Sequence, residues 1–418
     1  MHNLLVYADL DWLGKPALIG ELGYESLRGS DCYSFKYDNE WLSEHGNLFL
    51  SADINNYPGR QYTMPGRDIF GCFSDALPDR WGRLLMNRRE QILATEENRH
   101  PRKLSSYDYL LGVDDHTRMG ALRFKTTHEG KFINSDERLR TPPLTDIRTL
   151  AAASIQIERS EAENTLPDKK WIQQLLLPGT SLGGARPKAG VRDTKGTLYV
   201  AKFPSHNDDY DAGLWEHHSH LLAKKAGVNA AETSVITAGS KHHVLLSRRF
   251  DRIDKGQRRH FASAMTLLGL SDGCDAKTGN GYLDIVDFIL QNCCDVEDNL
   301  HQLYRRVAFN IAIGNSDDHF RNHGFLLTPR GWTLAPAYDM NPTANRYQSL
   351  LITSSTNKAD LHLLLNASEE YMIKKENAKK IIQEVTTAVK EWKDIAESIG
   401  IRKHEAERFE QIYKANEE

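Results

Sequence analysis

The stretch FNIAIGNSDDHFRNHGFLL, followed closely by LAPAYDMNPT, constrains this chain of 418 residues more than any other. An apolar run leads into a cluster of polar residues, in which Asp317 is followed five positions later by Asn322. Asp339 stands beyond the next strand-like apolar run. A phosphoryl-transfer site needs a carboxylate to orient the attacking hydroxyl, together with an Asn and a second Asp to hold magnesium against the phosphates. The spacing supplies all three across one short hairpin. Starting from Asp318 instead breaks the D-x-x-x-x-N register, so Asp317 is assigned as the base, with Asn322 and Asp339 as the metal ligands.

Length and charge are compatible with such a site and exclude other classes. The chain is too long for one ordinary domain and predicts two or three packed units. Its formal charge of −4, from 53 basic and 57 acidic residues, offers no general attraction to nucleic acid or an anionic membrane. No apolar run has the length of a membrane span, and MHNLLVYADLDW lacks a basic start and a long apolar stretch, so a cytoplasmic location is expected. Cys32, Cys72, Cys274, Cys293 and Cys294 are odd in number and contain no C-x-x-C pair, which indicates neither a disulfide framework nor a structural zinc site. Cys293 and Cys294 lie in a helix-like stretch. The histidines of WEHHSH (His217, His218, His220) read as a polar helix face rather than a metal site, as do His319 and His323.

Along residues 1–125, short apolar runs alternate with Gly, Pro and Asn turns before helix-like stretches begin after FSDALPDRWGR, predicting an α/β amino-terminal subdomain. In RWGRLLMNRRE and the residues after it, Glu90, Glu96 and Glu97 are interspersed with the basic side chains, so the spacing favours a solvated helix face over a phosphate-binding patch. A polar passage ending at Pro142 and Pro143 precedes a predicted helix over 146–163, and strand-like runs flanking one helical run complete a second part to residue 250. From 251 to 418 the pattern is helical, with Ile381, Val385, Val389, Trp392 and Ala396 forming one apolar stripe over 376–399. The expected fold class is therefore α+β, with a mixed α/β small lobe and a helical large lobe like those of protein kinases.

The nucleotide site is expected to start at PGTSLGGARPK. Ala185 stands where a P-loop requires lysine, which leaves a Gly-rich loop whose Gly183 and Gly184 allow backbone N–H groups to approach phosphate. In LYVAKFP, period-two alternation puts Leu198, Val200 and Lys202 on one face. An ammonium there needs an anionic partner, which ATP phosphates provide. Glu216, on the next predicted helix, is the candidate to pair with Lys202. The run VLLSRRFDR reads as a hinge in which backbone groups near Arg248 and Phe250 contact adenine and Asp251 accepts from a ribose hydroxyl.

Together, SLGGARPK, VAKFP, RRFDR, IGNSDDHFRN and LAPAYDMNP resemble the HipA family of bacterial serine/threonine kinases, the toxins of type II toxin–antitoxin modules. FSDALPDRWGR and LLGVDDHTRMGALRF extend the resemblance over nearly the whole chain. The resemblance implies a bilobal protein-kinase-like fold, ATP and Mg2+ as cofactors, and autophosphorylation at Ser181 that would eject the Gly-rich loop. It also implies a protein substrate, typically an aminoacyl-tRNA synthetase, and a small helix-turn-helix antitoxin through which operator DNA is reached only indirectly. No membrane partner is implied. Two departures stand out: Arg186 adds a cation near the loop, and Asp318 replaces a small residue after the base, adding negative charge beside the metal site. Two other readings compete with the kinase. One is a pseudokinase or corepressor-like module that binds antitoxin without efficient transfer, and the other a metal-dependent hydrolase built from Asp317, His319, His323 and Asp339.

Overall fold

A computed structural model of the chain describes residues 2–27, 30–64, 67–135, 141–176, 186–239, 241–253, 256–343 and 345–414. It divides into two compact units, the first made of Met1–Asp208, Thr237–Ser240 and Leu246–Ala262, the second of Asp209–Ile236, Lys241–Leu245 and Ser263–Glu418. The segments expected as separate parts on either side of residue 125 therefore share one unit. The chain is α+β in both.

The first unit opens with the strands β1 (His2–Ala8), β2 (Ala17–Leu27) and β3 (Ser30–Tyr37), then helix α1 (Asn39–His45) and strand β4 (Gln61–Tyr62). Helices α2 (Gly71–Ser74), α3 (Arg80–Glu96) and α4 (Ser106–Gly112) follow, before β5 (Leu122–Lys125) completes a sheet of order β4-β3-β2-β1-β5. Alternation in β1 buries Leu4, Val6 and Ala8 on one face. Antiparallel pairing sets Leu4 opposite Leu22 in β2, and Val6 opposite Phe124 in β5. Phe73 closes this core, with ring centroids 5.6 Å from Phe35 and 6.1 Å from Phe124.

On α3 the basic run is tied down by carboxylates: buried Glu90 accepts from Arg99 and from the Arg102 backbone N–H, and Arg88 pairs with Glu161. It is not the wholly solvated face the spacing suggests. Next come α5 (Ile147–Ala162), α6 (Lys169–Leu176) and the antiparallel pair β6 (Lys188–Arg192) and β7 (Leu198–Lys202).

In the second unit, α7 (Ala212–Lys225) is followed by β8 (Thr233–Thr237) and β9 (His243–Arg248). The chain passes between units within β9. Inside the first unit its last residues run beside β7, where the Arg249 N–H donates to the Leu198 carbonyl at 2.9 Å. After β10 (Phe261–Ser263) come α8 (Ala264–Leu267), α9 (Tyr282–Asn292) and α10 (Val296–Ala312), then the antiparallel hairpin β11 (Gly324–Thr328) and β12 (Gly331–Leu334). Helices α11 (Leu361–Asn366), α12 (Lys375–Val389), α13 (Trp392–Ser398) and α14 (Lys403–Lys414) end the chain.

Leu300, Leu303, Tyr304, Val307, Ala308 and Ile311 recur at three- and four-residue steps along α10 and are all buried, which makes it the centre against which α9, α12 and β12 pack. The stripe expected as one helix over 376–399 is two helices, α12 and α13. All five of its apolar residues are buried, and the break seats Trp392 flat on Tyr413, 4.5 Å between ring centroids.

Two other expectations need correction. His218 and His220 are buried rather than on a polar face, because each uses a ring nitrogen on a main-chain carbonyl, that of Trp392 at 2.8 Å and of Ala231 at 3.1 Å. Cys293 and Cys294 follow the end of α9 instead of lying in a helix; all five cysteines are free thiols. Among the described residues no helix is long and apolar enough to cross a membrane.

Candidate active site

The loop carrying Asp317 begins where α10 stops. Gly314 takes a φ of +67°, a left-handed conformation that glycine adopts without penalty, and turns the chain out of the helix. Thr343 then grips the first turn: its N–H and its hydroxyl both donate to the Gly314 carbonyl at 2.9 Å, and its Oγ1 accepts from the Ser316 N–H at 2.9 Å. Ser349 donates from its N–H and its hydroxyl to the Ser316 carbonyl, at 3.0 and 2.8 Å. At the far end the His323 carbonyl accepts from the Ala264 N–H at 2.7 Å, just before β11 starts.

Between these clamps the two adjacent aspartates have opposite fates. Asp317 is exposed. Asp318 is 3 % exposed, and its Oδ2 accepts from Tyr282 Oη at 2.7 Å, Asn310 Nδ2 at 2.7 Å and His323 Nε2 at 2.9 Å. Burial acts to raise the Asp318 carboxyl, but the imidazole and the phenol outweigh it and hold the group below the usual carboxylate range. The charge expected beside the metal site is thus turned inward and consumed by neighbours. The same contact occupies His323, which removes it from a histidine-based metal reading. Among the described residues no group of three or more His, Cys, Asp and Glu side chains is placed to hold a metal ion.

Asn322 ends the turn Phe320–Asn322 and is buried, with its Nδ2 donating to the Asp317 carbonyl at 3.2 Å. Its oxygen is then the atom left for a cation. Asp339 sits at φ +60°, a conformation seldom taken by a residue with a side chain and concentrated at functional sites. Its loop is fixed on one side by Ala337, whose N–H donates to the Asn229 carbonyl at 2.8 Å while its carbonyl accepts from Ala231 at 2.9 Å. Next to it the Tyr338 hydroxyl donates to the Arg321 carbonyl at 2.6 Å, joining the Asp339 loop to the residue before Asn322. The amide and carboxylate oxygens of Asn322 and Asp339 are hard donors that suit magnesium.

In the first unit Lys202 is half-buried at the end of β7, directly opposite Lys188 on β6. Lys188 is 3 % exposed and pairs with Asp79 at 3.3 Å, while Asp79 also caps α3 by accepting from the Gly82 N–H at 2.7 Å. Burial pushes the Asp79 carboxyl up to about 6 against the pull of Lys188. Arg248 is exposed, and Phe250 is half-buried with its ring 5.9 Å from that of Phe261. Glu216 is buried on α7 of the second unit. Arg186, the extra cation noted in the sequence, donates to Asp208 and to the Phe203 carbonyl. Gly183, Gly184 and Ser181 lie outside the described residues.

The ribose role expected of Asp251 does not fit. The side chain is 0 % exposed; Arg249 grips both oxygens at 2.6 Å, and Oδ2 also accepts from Arg252 at 2.6 Å and the Gly120 N–H at 2.8 Å. Four donors within the protein occupy the carboxylate. Sequence reasoning missed this knot, the Asp79–Lys188 pair and the donors around Asp318. The one signal available was that the motifs FSDALPDRWGR and LLGVDDHTRMGALRF supply Asp79 and Gly120.

Two family models match the chain: the HipA N-terminal domain over residues 12–125 and the HipA-like C-terminal domain over residues 180–392. The chain belongs to the HipA family. The HipA-like C-terminal match takes in Lys202, Glu216, Asp317, Asn322 and Asp339 together. The serine/threonine-protein kinase toxin HipA of Shewanella oneidensis is 25 % identical over 225 residues, 47 % of this chain and 50 % of that protein. A putative kinase of Haemophilus influenzae is 26 % identical over 150 residues, 33 % of this chain and 44 % of its own length. The chain thus matches about half the length of these curated relatives or less. The solved HipA of S. oneidensis MR-1, in complex with HipB and operator DNA, has a TM-score of 0.69 over 99 % of this chain and 95 % of that one at 18 % identity. The two share a fold.

Proposed function

We propose that this HipA-family chain is an ATP- and magnesium-dependent serine/threonine protein kinase, bilobal in the manner of protein kinases, and the toxin of a toxin–antitoxin module. The observation that carries the reading is the arrangement of one loop: Asp317 exposed, Asn322 tied to the Asp317 carbonyl, and the Asp339 loop joined to the same turn through Tyr338. Asp317 would accept the proton of a substrate serine or threonine hydroxyl as its oxygen bonds to the γ-phosphorus of ATP and the bond to the ADP oxygen breaks. Lys202 would hold ATP phosphates, and backbone groups near Arg248 and Phe250 would meet adenine. Asn322 and Asp339 would hold Mg2+, which when bound offsets charge on the phosphates.

Autophosphorylation at Ser181 would add roughly two negative charges beside the triphosphate and silence the enzyme. The toxin name of one relative and the HipA, HipB and operator DNA title of another support an antitoxin partner, with DNA contacted through it. The proposed substrate is a translation component such as an aminoacyl-tRNA synthetase, met in the cytoplasm. The deciding experiment incubates wild type and Asp317→Gln with labelled ATP and magnesium and maps phosphosites by mass spectrometry. The expected result is label that depends on Asp317, on Ser181 among other sites, with ATP binding retained in the variant. Equal labelling by the two proteins defeats the assignment. Binding without transfer by unphosphorylated wild type would leave a module that acts through its partner alone.

A further inference from the structure

We propose that Asp318 is a positioning residue for phosphoryl transfer, acting through its neighbour Asp317; the proposal rests on the kinase reading above. Three donors from three separate pieces of the second unit converge on its Oδ2. Tyr282 is the first residue of α9, Asn310 lies in the last turn of α10, and His323 directly precedes β11. All four residues are at most 3 % exposed, and the Tyr282 and His323 rings meet edge-on with centroids 5.6 Å apart. The network also returns to the start of the loop, because Asn310 Oδ1 accepts from Asn315 Nδ2 at 3.2 Å.

Stability alone is a poor account of this arrangement. Taking a carboxylate out of water is costly even when it is well bonded, and an apolar anchor of similar size serves stability as well or better. What convergent hydrogen bonds provide is direction: they hold the Asp318 side chain against α9, α10 and β11, and the peptide between the two aspartates with it. Asp317 is thereby presented to solvent instead of turning into the helices. The cost of losing that restraint is geometric, since a misplacement of about 1 Å in a reacting group can lower a rate by two orders of magnitude.

The test measures kcat and KM for ATP with a protein substrate, alongside urea unfolding, for full-length wild type, Asp318→Asn and Tyr282→Phe. Asp318→Asn removes the charge at nearly constant volume, and Tyr282→Phe deletes a single hydroxyl, so it reports even if Asp318→Asn does not fold. Val385→Ala, in the buried face of α12, serves as a control that loses stability away from the loop. Asp318→Asn is expected to lower kcat on the order of 10- to 100-fold, and Tyr282→Phe by a smaller factor, with KM for ATP moving less than about threefold in either. Val385→Ala is expected to keep wild-type kcat at a comparable loss of stability. Folded Asp318→Asn, or Tyr282→Phe where Asp318→Asn does not fold, with wild-type kcat overturns the proposal and leaves the kinase reading standing. The same holds if Val385→Ala loses kcat in step with its stability. Wild type that transfers no phosphate overturns the reading itself, and the proposal falls with it.

Discussion

Asp251 and Asp317 show how the same side chain is put to different use by its surroundings. At Asp251 burial favours the neutral acid, but Arg249, Arg252 and the Gly120 N–H outweigh it and hold the carboxyl far below its usual range. A depressed folded-state value means that the stabilisation is fully present above the unfolded value of about 3.9 and is lost as pH falls toward the folded one. Asp251→Asn strands two buried guanidiniums, so it should cost about 3–5 kcal/mol at pH 7. Urea midpoints for wild type and variant at pH 7 and below pH ~4 check this. The gap between them should narrow in acid, and equal midpoints at pH 7 would return Asp251 to the list of ligand-binding candidates. Among the described residues Asp317 has no comparable set of partners, and it is exposed, which suits the role of base proposed for it.

Among the elements, α7 is placed by what it lacks. A Cβ on Gly213 would lie 2.6 Å from the His243 carbonyl oxygen of β9, a main-chain atom that cannot swing aside. Alanine is the better helix former by about 1 kcal/mol, so propensity alone predicts that Gly213→Ala stabilises. Close approach predicts the reverse, a loss of about 1–3 kcal/mol as α7 is forced off the strand. Thermal unfolding gives the sign directly, and a higher Tm would mean that α7 has room to move. Likewise α3 depends on Asp79 for both its cap and the pairing of Lys188, so Asp79→Ala should destabilise more than Asp79→Asn, by about 1 kcal/mol for the lost cap. The two variants compared in urea would show it; no difference would mean that the cap contributes nothing.

For the molecule as a whole, the match to the HipA N-terminal domain ends at residue 125, but the first packing unit continues past it. Residues before that point supply Asp79, Asp115, Arg118 and Gly120, which hold Lys188, Arg249, Asp251, Arg252 and Arg258 inside one unit. A chain lacking residues 1–125 should therefore lose the near-UV circular dichroism and cooperative unfolding of its first-unit remainder; retention of both would show that the remainder folds alone. The sequence by itself determined that the amino-terminal part mixes strands with helices, since short apolar runs set between Gly, Pro and Asn turns are a local signal. It also determined the grouping of Asp317 with Asn322, because five positions along a loop leave few ways to separate them. The sequence was silent where a role depends on residues far away in the chain. Asp318 turns inward because Tyr282 and Asn310 wait there, Asp251 is occupied because Gly120 and two arginines reach it, and the α12–α13 stripe breaks so that Trp392 can lie on Tyr413. A carboxylate's function follows from which donors surround it and from whether water does, and both are decided only when distant segments pack.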